Sequence, residues 1–236
     1  MLNPAVRNRK SFHSLDSHRL VLIPIAFLDK EQQWSVSDEY LEGLWDRLVD
    51  EGQHEVIFME QEIVSAEEFG GYMKASHNFP VIGLLVSGDD NGGSVTPFHE
   101  PAFIAWMNTV GKNNALCHFL LFSTKTKYNK VQAGKDVLDY WFSFMRLDGL
   151  PLFEVLLGKT PSRLVSAIKF IKRLGFTVIG EIPKIYAGGG ATISFLEREA
   201  FYGRKSTGSE SEPDRTRGRA DRKTAAAAGN STIPAD

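Results

Sequence analysis

The chain has 236 residues, a formal net charge of −2, and 42% hydrophobic and 24% charged residues. This length and composition suit one soluble globular domain of about 200 residues. The small net charge excludes a whole-molecule attraction to nucleic acid or to an anionic membrane surface, so any anion site must be local. No run of about 20 apolar residues predicts a membrane-spanning segment.

The cysteine and histidine content argues against a disulfide and against a metal site. Cys117 is the sole cysteine, so no disulfide can form within the chain, and a reduced cytoplasmic setting is the default expectation. The 6 histidines fall at no metal-ligand spacing with one another or with Cys117, so no metal site is predicted.

The N-terminal half is predicted to contain antiparallel strands and two helices. Residues 1–17 are polar and basic and are interpreted as a flexible arm. Pro24 lies inside the first predicted strand, which is expected at a sheet edge because proline cannot donate to a ladder. Ser35 is predicted to cap the first helix, and Ser65, followed by Glu68, the second. The predicted strands span residues 18–27, 80–87, 102–110 and 115–123, the helices span residues 35–52 and 65–76, and a turn spans residues 89–93.

Beyond this point the predicted order changes to strand, helix, strand and helix. A helix is predicted to begin at Pro161, since proline is favoured in the first turn, and to end at Gly175. Antiparallel strands followed by a βαβα arrangement predict an α/β fold in which a mixed sheet carries helices on both faces. The predicted elements are a lysine-bearing loop (TKTKYNKVQAGK), a helix (DVLDYWFSFMRL), a strand (LFEVLL), the helix from Pro161, and a closing hairpin at residues 176–185 and 191–198.

The domain is predicted to span residues 18–201, followed by a disordered tail at residues 202–236. The tail is rich in Gly, Ser, Arg, Asp and Ala and carries almost no large apolar residue, so burial cannot offset the entropy of ordering it. Its run RTRGRADRK could contact nucleic acid or an acidic partner. A solvated terminus is the simpler interpretation, and nucleic acid is not an expected partner.

The phrase AIKFIKRLGFTVIGEIPK resembles a signature of the GCN5-related N-acetyltransferase (GNAT) superfamily. Members run a helix that ends in a YEKLGF-like phrase into a hairpin of the GE type, and here residues 171–176 and 180–181 stand at those places. The order of elements across residues 18–199 is similar too. The resemblance implies a GNAT-like acyl-CoA N-acyltransferase fold and transfer of an acyl group from acetyl-CoA or another acyl-CoA to an unidentified small-molecule or peptide amine.

The resemblance also implies where acyl-CoA binds. In the family, the strand before the central helix parts from the next strand, and the carrier lies in the gap with its pyrophosphate on loop amides. The loop pattern is Arg or Gln, two residues, Gly, one residue, then Gly or Ala; Asn129, Gln132 and Gly134 hold the three defined places here. Gln132 replaces a glycine that lets backbone approach phosphate, and nearby lysines supply compensating charge. An exposed lysine-rich loop without a ligand is the alternative. The expected cofactor-binding residues are Leu121, Phe122, Ser123, Asn129, Lys130, Val131, Gln132, Ala133, Gly134 and Lys135.

Two residues are candidates for the general base of such a reaction. His118 and Glu154 each lie among large apolar residues of a predicted strand, where desolvation moves a pKa toward neutrality. Either could instead be a hydrogen-bonded core residue or face solvent. The family's usual acid is a tyrosine, and its place is held by Ile171, which cannot donate a proton. The alternative donors are Tyr128, Ser162 and Ser166.

Two functions stay open at this stage. The first is an active acyltransferase with His118 or Glu154 as base. The second is a catalytically degenerate GNAT-like binding or structural module, such as a bacteriophage virion-associated protein, which the altered loop and missing tyrosine resemble. The sequence favours the enzyme because lysines cluster where acyl-CoA would need them. A cytoplasmic or virion location, and a homodimer or larger assembly, are compatible with these alternatives, and no membrane partner is expected.

Overall fold

The computed structural model describes residues 18–28, 33–58, 63–87, 100–109, 111–186 and 189–207, which form nine strands and six helices. The predicted arm at residues 1–17 and the predicted turn at residues 89–93 lie outside these ranges. Within them, no helix has the length and apolar character needed to cross a membrane. The strands are β1 (His18–Pro24), β2 (Phe27–Leu28), β3 (Gln33–Trp34), β4 (Val81–Ser87), β5 (Glu100–Thr109), β6 (Asn114–Leu121), β7 (Val155–Pro161), β8 (Thr177–Tyr186) and β9 (Gly189–Glu197). The helices are α1 (Asp38–Asp50), α2 (His54–Ile57), α3 (Ala66–Lys74), α4 (Lys130–Phe142), α5 (Val165–Leu174) and α6 (Arg198–Thr207).

Seven of the strands form one mixed sheet in the order β1-β4-β5-β6-β7-β9-β8, and β2 pairs with β3. Neighbours in the large sheet are antiparallel except β6 and β7, which are parallel and joined by α4. Strand β1 lies at an edge, as Pro24 predicted. An antiparallel half followed by a βαβ crossover confirms the predicted mixed sheet.

Helices cover both faces of this sheet, which also confirms the predicted fold class. On the α1–α3 face, Leu48 and Phe69 join a buried cluster with Trp106 of β5. On the α4–α5 face, Trp141 and Leu174 join a second buried cluster with strand residues of the opposite pleat. Successive residues of a strand point to opposite faces, so the sheet supplies side chains to two separate cores.

The helix caps agree with the sequence analysis in one case and differ in the other. The Ser37 hydroxyl, not that of Ser35, accepts from the Tyr40 amide (3.3 Å) and caps α1. The Ser35 hydroxyl instead donates to the Pro24 carbonyl (2.6 Å), which ties the start of α1 to the end of β1. The Ser35 prediction was therefore wrong, whereas Ser65 caps α3 as predicted.

Boundaries in the βαβ half differ from the predicted ones. Helix α4 begins at Lys130, inside the predicted loop, because the Asn129 side chain caps it there. Strand β7 continues to Pro161, so this proline ends a strand and does not open α5, which begins at Val165. Gly175 ends α5 with a φ of 104°, a left-handed conformation that favours glycine, as predicted.

The last described element is α6, which crosses the predicted domain boundary at residue 201. Phe201 is buried, and its ring centroid lies 5.5 Å from that of Phe142 on α4. Phe201 therefore packs α6 against α4, although most of the other residues of α6 are polar. The part of the predicted tail beyond Thr207 lies outside the described residues.

Candidate functional site

Strands β6 and β7 pair at only three positions, residues 114–116 with residues 155–157. Both strands then continue, β6 to Leu121 and β7 to Pro161, without pairing to each other. The gap between them lies toward their carboxyl ends. We refer to this gap as the opening.

The ladder between β5 and β6 shows which backbone groups of β6 face the opening. The Phe122 amide donates to the Ala102 carbonyl (2.9 Å) on the β5 side, and peptide groups along a strand alternate between its two neighbours. The peptide groups of Phe119 and Leu121 therefore point toward β7. The Leu121 carbonyl accepts from Gln53 Nε2 (3.3 Å), whereas the Phe119 N–H and C=O have no partner among the described residues.

A cavity of about 140 Å³ occupies the opening and is lined from both faces of the sheet. On the α4–α5 face the lining is largely apolar. On the α1–α3 face, the stacked rings of Trp106 and His118 lie on the β6 side of the gap. Lys159 of β7 lies on the other side of the gap. The lining includes Trp106, His118, Phe119, Lys159, Ala167, Ile171 and Tyr186.

His118, one of the two predicted bases, lines this cavity. Its ring stacks on that of Trp106, with centroids 4.8 Å apart and an interplanar angle of 12°. Burial, with a smaller contribution from the Lys159 ammonium, lowers the pKa of His118 to about 4. The imidazole is therefore neutral at pH 7 and has one nitrogen lone pair.

A hydrogen-bonded chain from α3 determines which His118 nitrogen carries that lone pair. Asn78 Nδ2 donates to the Tyr72 carbonyl (2.6 Å), so the Asn78 Oδ1 accepts from Asn108 Nδ2. Asn108 Oδ1 is then the acceptor that lies 2.8 Å from His118 Nε2. Nε2 accordingly carries the hydrogen, and Nδ1 is the basic nitrogen.

Glu154, the other predicted base, lies away from the opening. It is exposed and precedes β7, where its amide donates to the Asn113 carbonyl (2.8 Å) at the paired end of β6 and β7. Its carbonyl accepts from the Arg198 amide (2.9 Å). The expectation of a desolvated carboxylate in mid-strand was wrong, because the strand begins one residue after Glu154.

The predicted phosphate loop forms the first turns of α4. Asn129 Oδ1 accepts from the Gln132 amide (3.0 Å), and the Asn129 carbonyl accepts from the Ala133 amide (2.9 Å). The amides from Ala133 onward are thus inside the helix, and the prediction that they meet a ligand was wrong. The amides of Lys130 and Val131 have no acceptor among the described residues, which leaves a positive helix end at the carboxyl end of β6.

The residues at positions 132–134 pack against α5 or bond within α4. Ala133 is buried, and a Cβ on Gly134 would approach the Leu174 side chain to 2.7 Å and that of Phe170 to 3.0 Å. Gly134 therefore permits close packing of α4 on α5. Gln132 Nε2 donates to Asp136 Oδ1 (2.9 Å) one turn along the helix, so this side chain does not cover the helix end. Lys130 is exposed at that end, and Lys135 is half-buried.

Replacing Gly134 by valine should lower the free energy of unfolding by about 1–3 kcal/mol, since the added methyl groups meet the buried Leu174. The matched control is Gly71→Val on α3, where a Cβ meets nothing within 4 Å and the change should stay within about 0.5 kcal/mol. Urea denaturation of both variants measures the difference. Equal changes in the free energy of unfolding for the two variants would contradict a packing role for Gly134.

Two more residues predicted at the cofactor lie elsewhere. Phe122 is fully buried on the α1–α3 face, under the Arg47 guanidinium, whose carbon lies 4.7 Å from the ring centroid. The Ser123 amide donates to the Glu51 carboxylate (3.1 Å). These placements were missed because β6 ends at Leu121 and the chain then turns toward α1.

The proposed replacements for the family's tyrosine do not reach the opening. The Tyr128 hydroxyl donates to the Ala102 carbonyl (2.9 Å), and burial raises the pKa of this phenol. Ser162 lies 3.2 Å from the Thr192 hydroxyl, and Ser166 is exposed on α5. Ile171, which occupies the tyrosine position, does line the cavity.

The cysteine of β6 also lines the opening but is not suited to act as a nucleophile. The Cys117 thiol donates to the Leu157 carbonyl (3.1 Å), and burial raises its pKa to about 12. Sequence reasoning missed Lys159 because the predicted strand was ended at Leu157, and it missed Tyr186 because the first strand of the closing hairpin was ended at residue 185. Strand alternation continued through Pro161 would have placed Lys159 on the same face of its strand as Leu157.

Comparison with known proteins rests on three-dimensional structure, since no protein-family model and no curated protein matches the chain. The aminoglycoside acetyltransferase AAC(6')-Ib, solved with coenzyme A and kanamycin, superposes with a TM-score of 0.53 at 12% identity, over 79% of this chain and 99% of that one. Spermidine N-acetyltransferase from Vibrio cholerae, solved with CoA and spermine, gives 0.55 at 9% identity, over 78% and 98%. The chain has the GNAT fold. Ribosomal-protein-S5-alanine acetyltransferase from Vibrio fischeri gives 0.51 at 12% identity, over 78% of this chain and 95% of that one.

The opening lies where the sequence resemblance implied it. The resemblance implied that the strand before the central helix parts from the next strand, and here β6 precedes α4 and parts from β7. The sequence resemblance implied a gap beside Leu121, and β6 is unpaired from β7 as far as Leu121. The cavity in this gap is lined by residues 116–119 of β6. The predicted architecture is confirmed.

Proposed function

We propose that the protein is an acyl-CoA-dependent N-acyltransferase that binds its acyl donor in the opening. The observation that carries this proposal is the unpaired edge of β6 at Phe119, which lines the cavity between β6 and β7. A pantetheine arm is an extended chain with amide groups, so it can bond to the Phe119 N–H and C=O as an added strand would. Structural neighbours that contain coenzyme A support the proposal.

The N-terminus of α4 is proposed to hold the pyrophosphate. Its free amides at Lys130 and Val131 and the helix dipole favour an anion at this end. The exposed side chain of Lys130 adds a positive charge there, and Lys127 is exposed in the preceding loop. The missing glycine at position 132 is not an obstacle in this arrangement, because the Gln132 side chain is held along the helix by Asp136.

In this arrangement the acyl donor enters the opening from the α4–α5 face, and the acceptor amine approaches from the α1–α3 face. The amine nitrogen attacks the thioester carbonyl carbon, the C–N bond forms, the C–S bond breaks, and CoA leaves as the thiolate. Neutral His118 accepts the amine proton at Nδ1, the nitrogen left free by the Asn108 hydrogen bond. Because a base of low pKa is weak, placement of the two reactants supplies much of the rate enhancement.

The acceptor is proposed to be a small-molecule amine, since the described cavity is small and neighbours of this fold are complexed with kanamycin and spermine. A reduced cytoplasmic setting fits a protein whose one cysteine is a buried thiol.

Titration calorimetry with CoA tests the proposal. We expect a dissociation constant below about 1 mM, that is, a binding free energy beyond about −4 kcal/mol. Lys130→Glu should weaken binding by about tenfold, because it places a negative charge at the pyrophosphate. The control Lys112→Glu, in the exposed turn at the opposite end of β6, should leave it unchanged. The absence of CoA binding at millimolar concentration would contradict the proposed function.

A further inference from the structure

Two contacts hold the ring of His118, and both lead back to Tyr72 on α3. Trp106 stacks on the ring, and the Trp106 Nε1 donates to the Tyr72 hydroxyl (3.2 Å). Asn108 Oδ1 accepts from His118 Nε2, and Asn108 Nδ2 donates to the same Tyr72 hydroxyl (3.0 Å). One residue of α3 therefore anchors both the stacking partner and the hydrogen-bond partner of the proposed base.

The side-chain amide of Asn108 is held in one orientation. Both of its hydrogens are used, one by the Tyr72 hydroxyl and one by Asn78 Oδ1. Asn78 is itself oriented, because its Nδ2 donates to the Tyr72 main-chain carbonyl (2.6 Å), a group that can only accept. Asn78 is 8% exposed, and an isolated antiparallel bridge pairs it with Asn108. A rotated Asn108 amide would set two acceptor oxygens against each other and leave them unsatisfied, which is costly where water is excluded.

An amide at position 108 acts on the imidazole differently from a carboxylate. Either group accepts a hydrogen bond from Nε2–H and so leaves the lone pair on Nδ1. A carboxylate would also place a negative charge beside the ring and favour the imidazolium, which has no lone pair and cannot take a proton from an amine. Asn108 therefore fixes the tautomer of His118 without favouring its protonated form.

The other titratable groups around the ring act with Asn108 in this respect. Among the described residues, Lys159 of β7 and Tyr186 of β8 line the same cavity as His118, as does the Cys117 thiol, and Tyr72 belongs to the hydrogen-bonded chain. Burial, and to a smaller extent the Lys159 ammonium, lower the pKa of His118. A carboxylate at position 108 would act in the opposite direction.

We propose that Asn108 is a positioning residue of the acyl transfer. Held in one orientation by Asn78 and Tyr72, it fixes His118 in the Nε2–H tautomer and leaves Nδ1 to the acceptor amine. The proposal rests on the proposed acyltransferase function and deepens it. Asn108 is not among the described residues that line the cavity, so its effect on the reaction is exerted through His118.

Nitrogen-15 NMR of the histidine side chains in the full chain measures the tautomer directly. The His118 signals are identified by their loss in His118→Phe. In the unmodified chain at pH 7, we expect the hydrogen on Nε2 and an unprotonated Nδ1. In Asn108→Asp, the midpoint of the His118 titration should rise by about 1–3 pH units. In Asn108→Leu, which offers no acceptor, the ring should become a mixture of both neutral tautomers.

The same variants are then compared as catalysts, with acetyl-CoA and a small-molecule amine that the unmodified chain acetylates. Asn108→Leu should lower kcat/KM on the order of tenfold at pH 7, because part of the population no longer presents a basic Nδ1. Asn108→Asp keeps the tautomer, so its kcat/KM should be retained above the raised midpoint and lost as the pH falls through it. The control Asn113→Asp makes the same change of charge in the exposed turn between β5 and β6 and should alter neither measurement.

Three results would each overturn the inference: a hydrogen on Nδ1 in the unmodified chain, an unchanged His118 midpoint in Asn108→Asp, or full kcat/KM in Asn108→Leu. The first needs no variant at position 108, so it decides the inference even where such a variant does not fold. Failure of CoA to bind would instead overturn the proposed function, because the NMR measurement needs no ligand.

Discussion

Filling the opening with a large side chain should weaken CoA binding strongly while the domain stays folded. Ala167 lies on α5 and lines the cavity. In Ala167→Trp, the indole would occupy the space of about 140 Å³ into which a pantetheine arm must fit. We expect affinity for CoA to fall on the order of 100-fold, or about 2.7 kcal/mol, as measured by calorimetry.

The matched control is Val165→Phe on the same helix. Val165 is 57% exposed and does not line the cavity, so an added ring should change CoA affinity by less than about twofold. Thermal unfolding of both variants checks that the fold is intact. A tryptophan at position 167 that leaves CoA affinity unchanged would show that the carrier binds elsewhere.

Removal of the His118 lone pair should lower turnover on the order of 10²–10⁴-fold, the usual contribution of a general base. His118→Phe keeps a ring that can stack on Trp106 but has no basic nitrogen. Its effect is measured as kcat with acetyl-CoA and a small-molecule amine that the unmodified chain acetylates. CoA affinity should change little, and His77→Phe, at an exposed histidine, serves as the control.

The pH dependence separates a base from a structural residue. The low pKa of His118 means that the ring is neutral above about pH 5 and takes up a proton only as the pH falls toward 4. The ratio of kcat/KM for the unmodified chain to that for His118→Phe cancels the titration of the acceptor amine. This ratio should stay constant from pH 8 to about 5.5 and fall below that. A fall centred near pH 6.5, or a ratio near one throughout, would contradict the assignment.

The sheet and its helices could be predicted because each rests on a local pattern. Pro24 predicted an edge strand, the Ser65 cap predicted the start of α3, and Gly175 predicted the end of α5. The long apolar stretches of β4 to β6 and the switch to a βαβ order then specify the architecture. These signals act over a few residues, which is the range that a single sequence reports well.

The site was harder to predict because it depends on where two strands stop pairing. His118 was identified from a polar residue in an apolar strand, but the same argument selected Glu154, which lies outside its strand. Strand β7 begins and ends a few residues later than predicted. The predicted strand therefore left out Lys159 and wrongly included Glu154. Gly134 was assigned to phosphate because the packing of α5 on α4, a long-range contact, is not visible in the local sequence.

A crystal structure of the chain with CoA tests the central assignment most directly. We predict density for the pantetheine arm between β6 and β7, with its amides bonded to the Phe119 backbone and the pyrophosphate at the Lys130 and Val131 amides. CoA bound at another surface, or strands β6 and β7 paired as far as Leu121 with no ligand between them, would contradict it.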